Sequence, residues 1–273
     1  SGEYFNQEGV AVGSGFDRYS FRLNVDNQAR KWLKISTSLS INQTSDKVVL
    51  SNNDLLNIAI SQSPNVPLKN ADGSWGGPVD PTFAMTNPAG MANLVDNNYE
   101  RHNGIGGLTA EINLLKGLVF RTSLNGNIEF GMQSSFIPTY QFGSLVNTMA
   151  VSSKTNSKNF GWNWNQLLQY NVKIKKHDIG FMVSHEANES VNSSLSGSRS
   201  GFVNNTIPEL SLGDSKTATN NSSKGQWAME SYFSRLNYTF DDKYIVQAAI
   251  RADGSENFSP DKRWGFFPSA SLA

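Results

Sequence analysis

The feature that most constrains this chain is a strict alternation of apolar and polar residues, sustained for longer than a small soluble β-domain requires. From Tyr19, the residues Tyr19, Phe21, Leu23 and Val25 share one parity, while Ser20, Arg22, Asn24 and Asp26 share the other. After the polar stretch Asn27 to Lys31, the alternation resumes with Leu33, Ile35, Thr37, Leu39 and Ile41 against Lys34, Ser36, Ser38, Ser40 and Asn42. Side chains on a strand point to opposite faces in turn, so this pattern predicts two strands of a hairpin, each with one apolar face.

The motif recurs along the chain. Leu108, Ala110, Ile112 and Leu114 oppose Thr109, Glu111 and Asn113. After a tight turn at Leu115 to Gly117 the return strand sets Leu118, Phe120, Leu124, Ile128 and Phe130 against Arg121, Ser123, Asn125, Asn127 and Glu129. A third hairpin pairs Phe160, Trp162, Trp164, Leu168, Tyr170 and Val172 with a partner strand carrying Ile179, Phe181, Val183 and His185, the weakest of the set because Met182 breaks its polar parity. A fourth runs Tyr232, Leu236, Tyr238, Phe240, turns at Asp241 to Lys243, and returns through Tyr244, Val246, Ala248 and Ile250. After a loop from Gly254 to Lys262, a ninth strand begins near Arg263, with Trp264, Phe266, Ala270 and Leu272 on one parity.

Length and connection pattern select among all-β folds. Several strands reach about 11 to 14 residues, which at roughly 3.3 Å per residue and a tilt near 40° spans on the order of 30 Å; strands of soluble sandwiches average about 5 or 6 residues. The connections at 27 to 32, 115 to 117, 173 to 177 and 241 to 243 are short, whereas those at 48 to 98, 131 to 156 and 190 to 225 are long. Trp32, Tyr170, Tyr238, Phe240 and Tyr244 cluster beside the short turns, where an interfacial aromatic girdle belongs. The fold class expected is therefore all-β: an antiparallel transmembrane β-barrel wall of about nine strands, with short periplasmic turns, long extracellular loops and a bacterial outer-membrane location. A β-sandwich adhesin or lectin, whose apolar parity packs against a second sheet, and a passive porin are the alternatives. An odd strand count, with both termini where a neighbouring strand should continue, is expected of a piece of a larger barrel.

Composition agrees and excludes other classes. A net charge of zero argues against a nucleic-acid surface. The absence of cysteine removes disulfides, thiolate metal sites and cysteine nucleophiles. No run of about 18 apolar residues exists, so no transmembrane helix is expected, but a barrel wall exposes apolar residues only at every second position.

The parity also assigns candidate roles. Arg22, Lys34, Glu111, Arg121, Glu129, Arg235, Arg251 and Asp253 carry the inward, luminal parity, where charges pair across strands or meet a plug or solute. Phe21, Leu23, Leu39, Phe120, Leu124, Trp164, Leu168, Leu236, Tyr238 and Val246 carry the lipid-facing parity. Trp75, Tyr140 and Phe142 lie in long loops, where aromatic rings stack on sugar faces or simply pack the loops. Asn53 to Ser61 is expected to form a short helical turn. His185 and Glu186 begin a metalloprotease-like motif, but Glu189 stands where the second histidine belongs and the context is a strand. Gly104, Gly106 and Gly107 fall within a strand and not before a helix, as a phosphate loop requires. No catalytic residue, metal or cofactor is expected.

Several stretches resemble the SusC/RagA-type TonB-dependent transporters of Bacteroidota outer membranes. They are NVDNQARKWLKISTSLSINQTSD from Asn24, SPNVPLKNADGSWG from Ser63, NGIGGLTAEINLLKGLVFRTSLNGN from Asn103 and, most specifically, ESYFSRLNYTFDDKYIVQAAIRADGSENF from Glu230. The resemblance implies a 22-stranded barrel closed by an N-terminal plug, of which these residues would form a central portion without plug or TonB box. It implies a SusD-like surface lipoprotein as lid, TonB as energising partner, contact with outer-membrane lipid, and import of oligosaccharides or peptides.

Overall fold

The computed structural model describes residues 1–48, 52–80 and 85–273; parts of the long connection from 48, at 49–51 and 81–84, lie outside the described residues. Ten strands form one continuous antiparallel sheet in the order of the chain: β1 (Gly2–Glu8), β2 (Gly15–Arg30), β3 (Leu33–Lys47), β4 (Asp96–Leu115), β5 (Leu118–Ile137), β8 (Val151–Ile174), β9 (His177–Ser200), β10 (Thr219–Phe240), β11 (Tyr244–Ser255) and β12 (Trp264–Leu272). A small ribbon of β6 (Tyr140–Phe142) and β7 (Leu145–Asn147) sits in the connection between β5 and β8. The nine expected strands are present, and β1 is a tenth, paired along β2 from Gly2↔Phe21 to Glu8↔Gly15.

The register carries the alternation across strands. Leu124 opposes Leu108 and Trp164, Leu168 opposes Phe120 and Val183, and Leu236 opposes Phe181 and Ala248. Tyr238 opposes Ile179 and Val246, and Val246 opposes Leu272. Every residue assigned to the lipid side thus falls on one face, in rows of like side chains. Met182 does not interrupt β9: it sits in the polar-face row between Gln169 and Arg235, and the ladder on both sides holds the strand in place.

The strands outrun the alternation. β8 and β9 each hold 24 residues, roughly 80 Å at about 3.3 Å per residue, far more than a hydrocarbon band of about 25 Å needs. Their upper parts, such as Val151–Asn159 and Glu186–Ser200, are rich in Ser and Asn on both faces. Side chains of the same polar kind stand on both faces there, so no period of two shows.

No second layer covers the apolar face among the described residues, and Leu124 remains 53% exposed. The few buried apolar side chains, Leu55, Met91, Ala92, Val95, Phe136, Phe142 and Ala150, all lie in or beside the long connections. Packing that a soluble domain would place between layers is therefore confined to one rim. A sheet that leaves its apolar face bare has apolar solvent as its natural partner.

That rim core is built from three connections. α1 (Asn52–Ser61) and α2 (Pro88–Leu94) belong to the first. Asn87 caps α2 by accepting from the Gly90 amide at 2.9 Å, and donates to Leu68 and Gly76 carbonyls, each at 2.9 Å. Ser144 donates from its amide and its hydroxyl to Pro78 O, each at 2.8 Å, which ties the second connection to the first. Asn205 binds Thr139, and Ser152 donates to Pro208 O at 2.7 Å, tying in the third.

Candidate functional site

The polar face carries the candidate site, and its rows are dictated by the antiparallel register. Near the short turns, one row runs Lys34, Glu111, Arg121, Leu167, Ser184, Phe233 and Arg251. Here the charges neutralise one another. Arg121 meets Glu111 at 2.6 Å, Lys34 meets Asp26 of the next row at 3.6 Å, and Arg251 donates Nε–H to both oxygens of Asp253, at 2.7 and 3.0 Å. Arg235, one row lower, keeps a buried Nε without a partner.

Above the charged rows lies a band of carboxamides. Asn125, Asn163 and Asn188 are direct neighbours on β5, β8 and β9. Asn163 Nδ2 donates to Asn188 Oδ1 at 2.5 Å and to Glu186 Oε1 at 2.9 Å, and Asn188 Nδ2 donates to the same carboxylate at 3.1 Å. Two rows higher, Asn42, Asn103, Glu129, Asn159 and Asn192 stand side by side, with Asn159 donating to Glu129 at 3.2 Å. Arg22 opens onto a recess of about 300 Å³ together with Arg18, Arg101, Asn42, Asn103 and Glu129. Arg18 is paired with Glu3 and Arg101 with Asp46, so Arg22 is the arginine of this recess without an ion-pair partner among the described residues.

Glycines seat these amides. Gly107 opposes Asn125 and Gly161 opposes Asn127. A Cβ on Gly107 would come within 2.4 Å of Asn125 Oδ1, and one on Gly161 within 2.6 Å of Asn127 Oδ1. The same relation joins Gly225 to Asn192 at 2.7 Å. Each asparagine thus lies flat over a bare strand, which keeps the face shallow while presenting donors and acceptors.

Of the loop aromatics, Phe142 is 1% exposed, with its ring against Gly90 and stacked on Tyr140 at 4.6 Å and its backbone carbonyl against Gly77. A ring sealed in this way offers no face to a ligand. Lys69 Nζ lies 3.8 Å from the Trp75 ring centroid and covers one of its faces; Tyr140 remains partly open. Nearby, Ser74 donates its hydroxyl and amide to Asp72, holding that carboxyl below its ordinary pKa. His185 and Glu186 project to opposite faces: His185 contacts Gln166 and Glu230 on the apolar side, Glu186 the amide band. The apolar alternation of β9 fades after His185, so it does not mark Glu186 and Asn188, which share the polar-face parity with Ser184.

No protein-family model matches the sequence. Among curated proteins, the chain is 28% identical to TonB-dependent receptor P26 of Formosa agariphila across 99% of its own length and 28% of the relative's. It is 26% identical to TonB-dependent receptor SusC of Bacteroides thetaiotaomicron across 68% of its length and 18% of that protein. Among solved structures, the RagAB peptide transporter superposes over 98% of this chain with a TM-score of 0.79 at 22% identity, covering 31% of that chain. The chain is thus similar in sequence to TonB-dependent receptors of Bacteroidota, and its fold is that of the matching stretch of the RagAB transporter. The ferric preacinetobactin receptor BauA shares only the fold, with a TM-score of 0.54 at 9% identity. The chain spans less than a third of the curated relatives' length. The relatives are receptors and transporters, not enzymes.

Proposed function

We propose that this SusC/RagA-type segment forms part of the wall of an outer-membrane importer that moves a polar oligomer, an oligosaccharide or a peptide, by TonB-dependent transport. Its short turns face the periplasm and its long connections the cell exterior. A SusD-like lipoprotein covers the rim formed by those connections, and TonB acts through a plug that the rest of the receptor supplies. The wall segment itself has no enzymatic activity.

The observation that carries this reading is the luminal amide band above internally neutralised charges. Carboxamides offer donors and acceptors in one plane without a fixed charge. Such a surface exchanges hydrogen bonds with hydroxyls or peptide groups as a solute passes, and each individual bond is weak enough, at about 0.5–1.5 kcal/mol net, to release it. Arg22 adds one local site for a carboxylate or other anionic group.

The test is uptake by cells that carry or lack the complete receptor, using fluorescent pools of neutral oligosaccharides and of peptides. Uptake that requires the receptor and stops when the proton gradient is collapsed supports the reading. Uptake that continues without the gradient makes the protein a passive porin.

A further inference from the structure

Each of the four short turns carries a lysine at its tip, next in sequence to an exposed apolar side chain. The pairs are Lys31 with Trp32, Lys116 with Leu115, Lys175 with Ile174, and Lys243 with Tyr244. The apolar partners are 52%, 71%, 56% and 65% exposed in that order. Leu115, Ile174 and Tyr244 continue the lipid-facing rows, because Leu115 pairs with Leu118, Ile174 with His177, and Tyr244 with Phe240. None of the four lysines has an ion-pair partner among the described residues. Their neighbours behave differently, since Lys173 and Lys176 are bound to Asp242 and Asp241 at 3.4 and 3.0 Å.

Two further observations set these tips apart. The chain as a whole balances 23 cations with 23 carboxylates. The four turns, at 27–32, 115–117, 173–177 and 241–243, hold seven cations and two carboxylates. Lys175 also occupies a left-handed conformation at φ 52°, where a two-residue turn ordinarily takes glycine or asparagine. A long cation therefore stands where local backbone geometry favours another residue.

We infer that the four tip lysines form a ring of anionic-phospholipid sites on the periplasmic side of the wall. Each exposed apolar neighbour enters the interfacial layer, and the adjacent ammonium reaches back to a headgroup phosphate. Amphipathic cations partition in this way at membrane interfaces, and juxtamembrane lysines attract anionic lipid additively. Charge complementarity and continuity with the apolar belt single out lipid rather than a soluble acidic protein as the occupant. The inference rests on the membrane reading above.

The experiment uses the complete receptor in detergent, incubated with equal amounts of phosphatidylglycerol and phosphatidylethanolamine and read by native mass spectrometry. The wild type should retain phosphatidylglycerol in preference by roughly tenfold. A variant carrying K31Q, K116Q, K175Q and K243Q should lose most of that preference, and the four Lys→Arg changes should restore it. The heat-modifiable folded band is followed in parallel, so that loss of fold is not mistaken for loss of lipid. Equal retention by the wild type and the glutamine variant overturns the inference, and so does a preference that shifts only with an added acidic protein. A wild-type receptor that fails to enter phospholipid vesicles overturns the membrane reading itself, whereas one that inserts without lipid preference overturns only the lysine sites.

Discussion

Arg121 and Glu111 meet at 2.6 Å across the β4–β5 ladder, on residues directly opposed in register. Both side chains are in part solvated, so the pair contributes only about 0.2–1 kcal/mol, as exposed ion pairs do. Arg121→Glu places two carboxylates opposite each other and should lower the urea midpoint of the complete receptor by an amount of that order. The double reversal, Glu111→Arg with Arg121→Glu, should recover it. A double reversal no more stable than R121E alone would show that the contact is not formed.

Leu124 and Asn125 are adjacent on β5 and point to opposite faces, the first toward Leu108 and Trp164, the second toward Asn163. Leu124→Arg should cost about 2–4 kcal/mol if it lies near the bilayer midplane, and Asn125→Arg about zero, because the lumen is wet. Folding of each variant into phospholipid vesicles, scored by heat-modifiable mobility, distinguishes them. Equal losses would reverse or abolish the facing assignment.

The alternation makes the lower wall legible because one of its faces is apolar at every second position, from Phe21 and Leu23 to Leu236 and Tyr238. It fails in the upper parts of β8, β9 and β10, such as Asn220–Gly225, where Ser and Asn stand on both faces. β1 was missed because Tyr4 and Phe5 are adjacent and fall on opposite faces, so no period of two shows. The charged luminal residues were readable from parity, but the amide band as a unit was not, since its members come from strands far apart in sequence. Phe142 is the sharpest instance: an aromatic in a polar loop suggests ligand stacking, yet its partners Gly77 and Gly90 lie more than fifty residues upstream.

Gly107 and Gly161 each seat an asparagine of the opposite strand. Gly107→Ala with Gly161→Ala displaces the amides of Asn125 and Asn127, which are free to swing into the lumen, so stability should change by less than about 1 kcal/mol. Uptake should fall roughly two- to tenfold, the equivalent of one hydrogen bond misplaced. Gly126→Ala is the control, because its nearest neighbour, Gly161 O, is 3.7 Å away. Unchanged uptake in the double variant would remove the amide band from the transport path.

Phe142 holds the rim core together at the upper end of the wall, where Ile137 of β5 packs against the same cluster. Its ring packs on Gly90 and lies in one cluster with Met91, Val95 and Trp75. Phe142→Ala should cost about 3–5 kcal/mol, the usual penalty for emptying an aromatic site. That penalty falls on the loop cluster, because the sheet is held by its own continuous ladder. The receptor should therefore still assemble with normal heat-modifiable mobility while residues 52–80 and 85–95 become several-fold more sensitive to protease added outside the cell. The linked readouts separate two architectures: a receptor that loses assembly together with loop protection would mean that the rim core is needed to build the wall, and a receptor that loses neither would mean that Phe142 does not carry the rim.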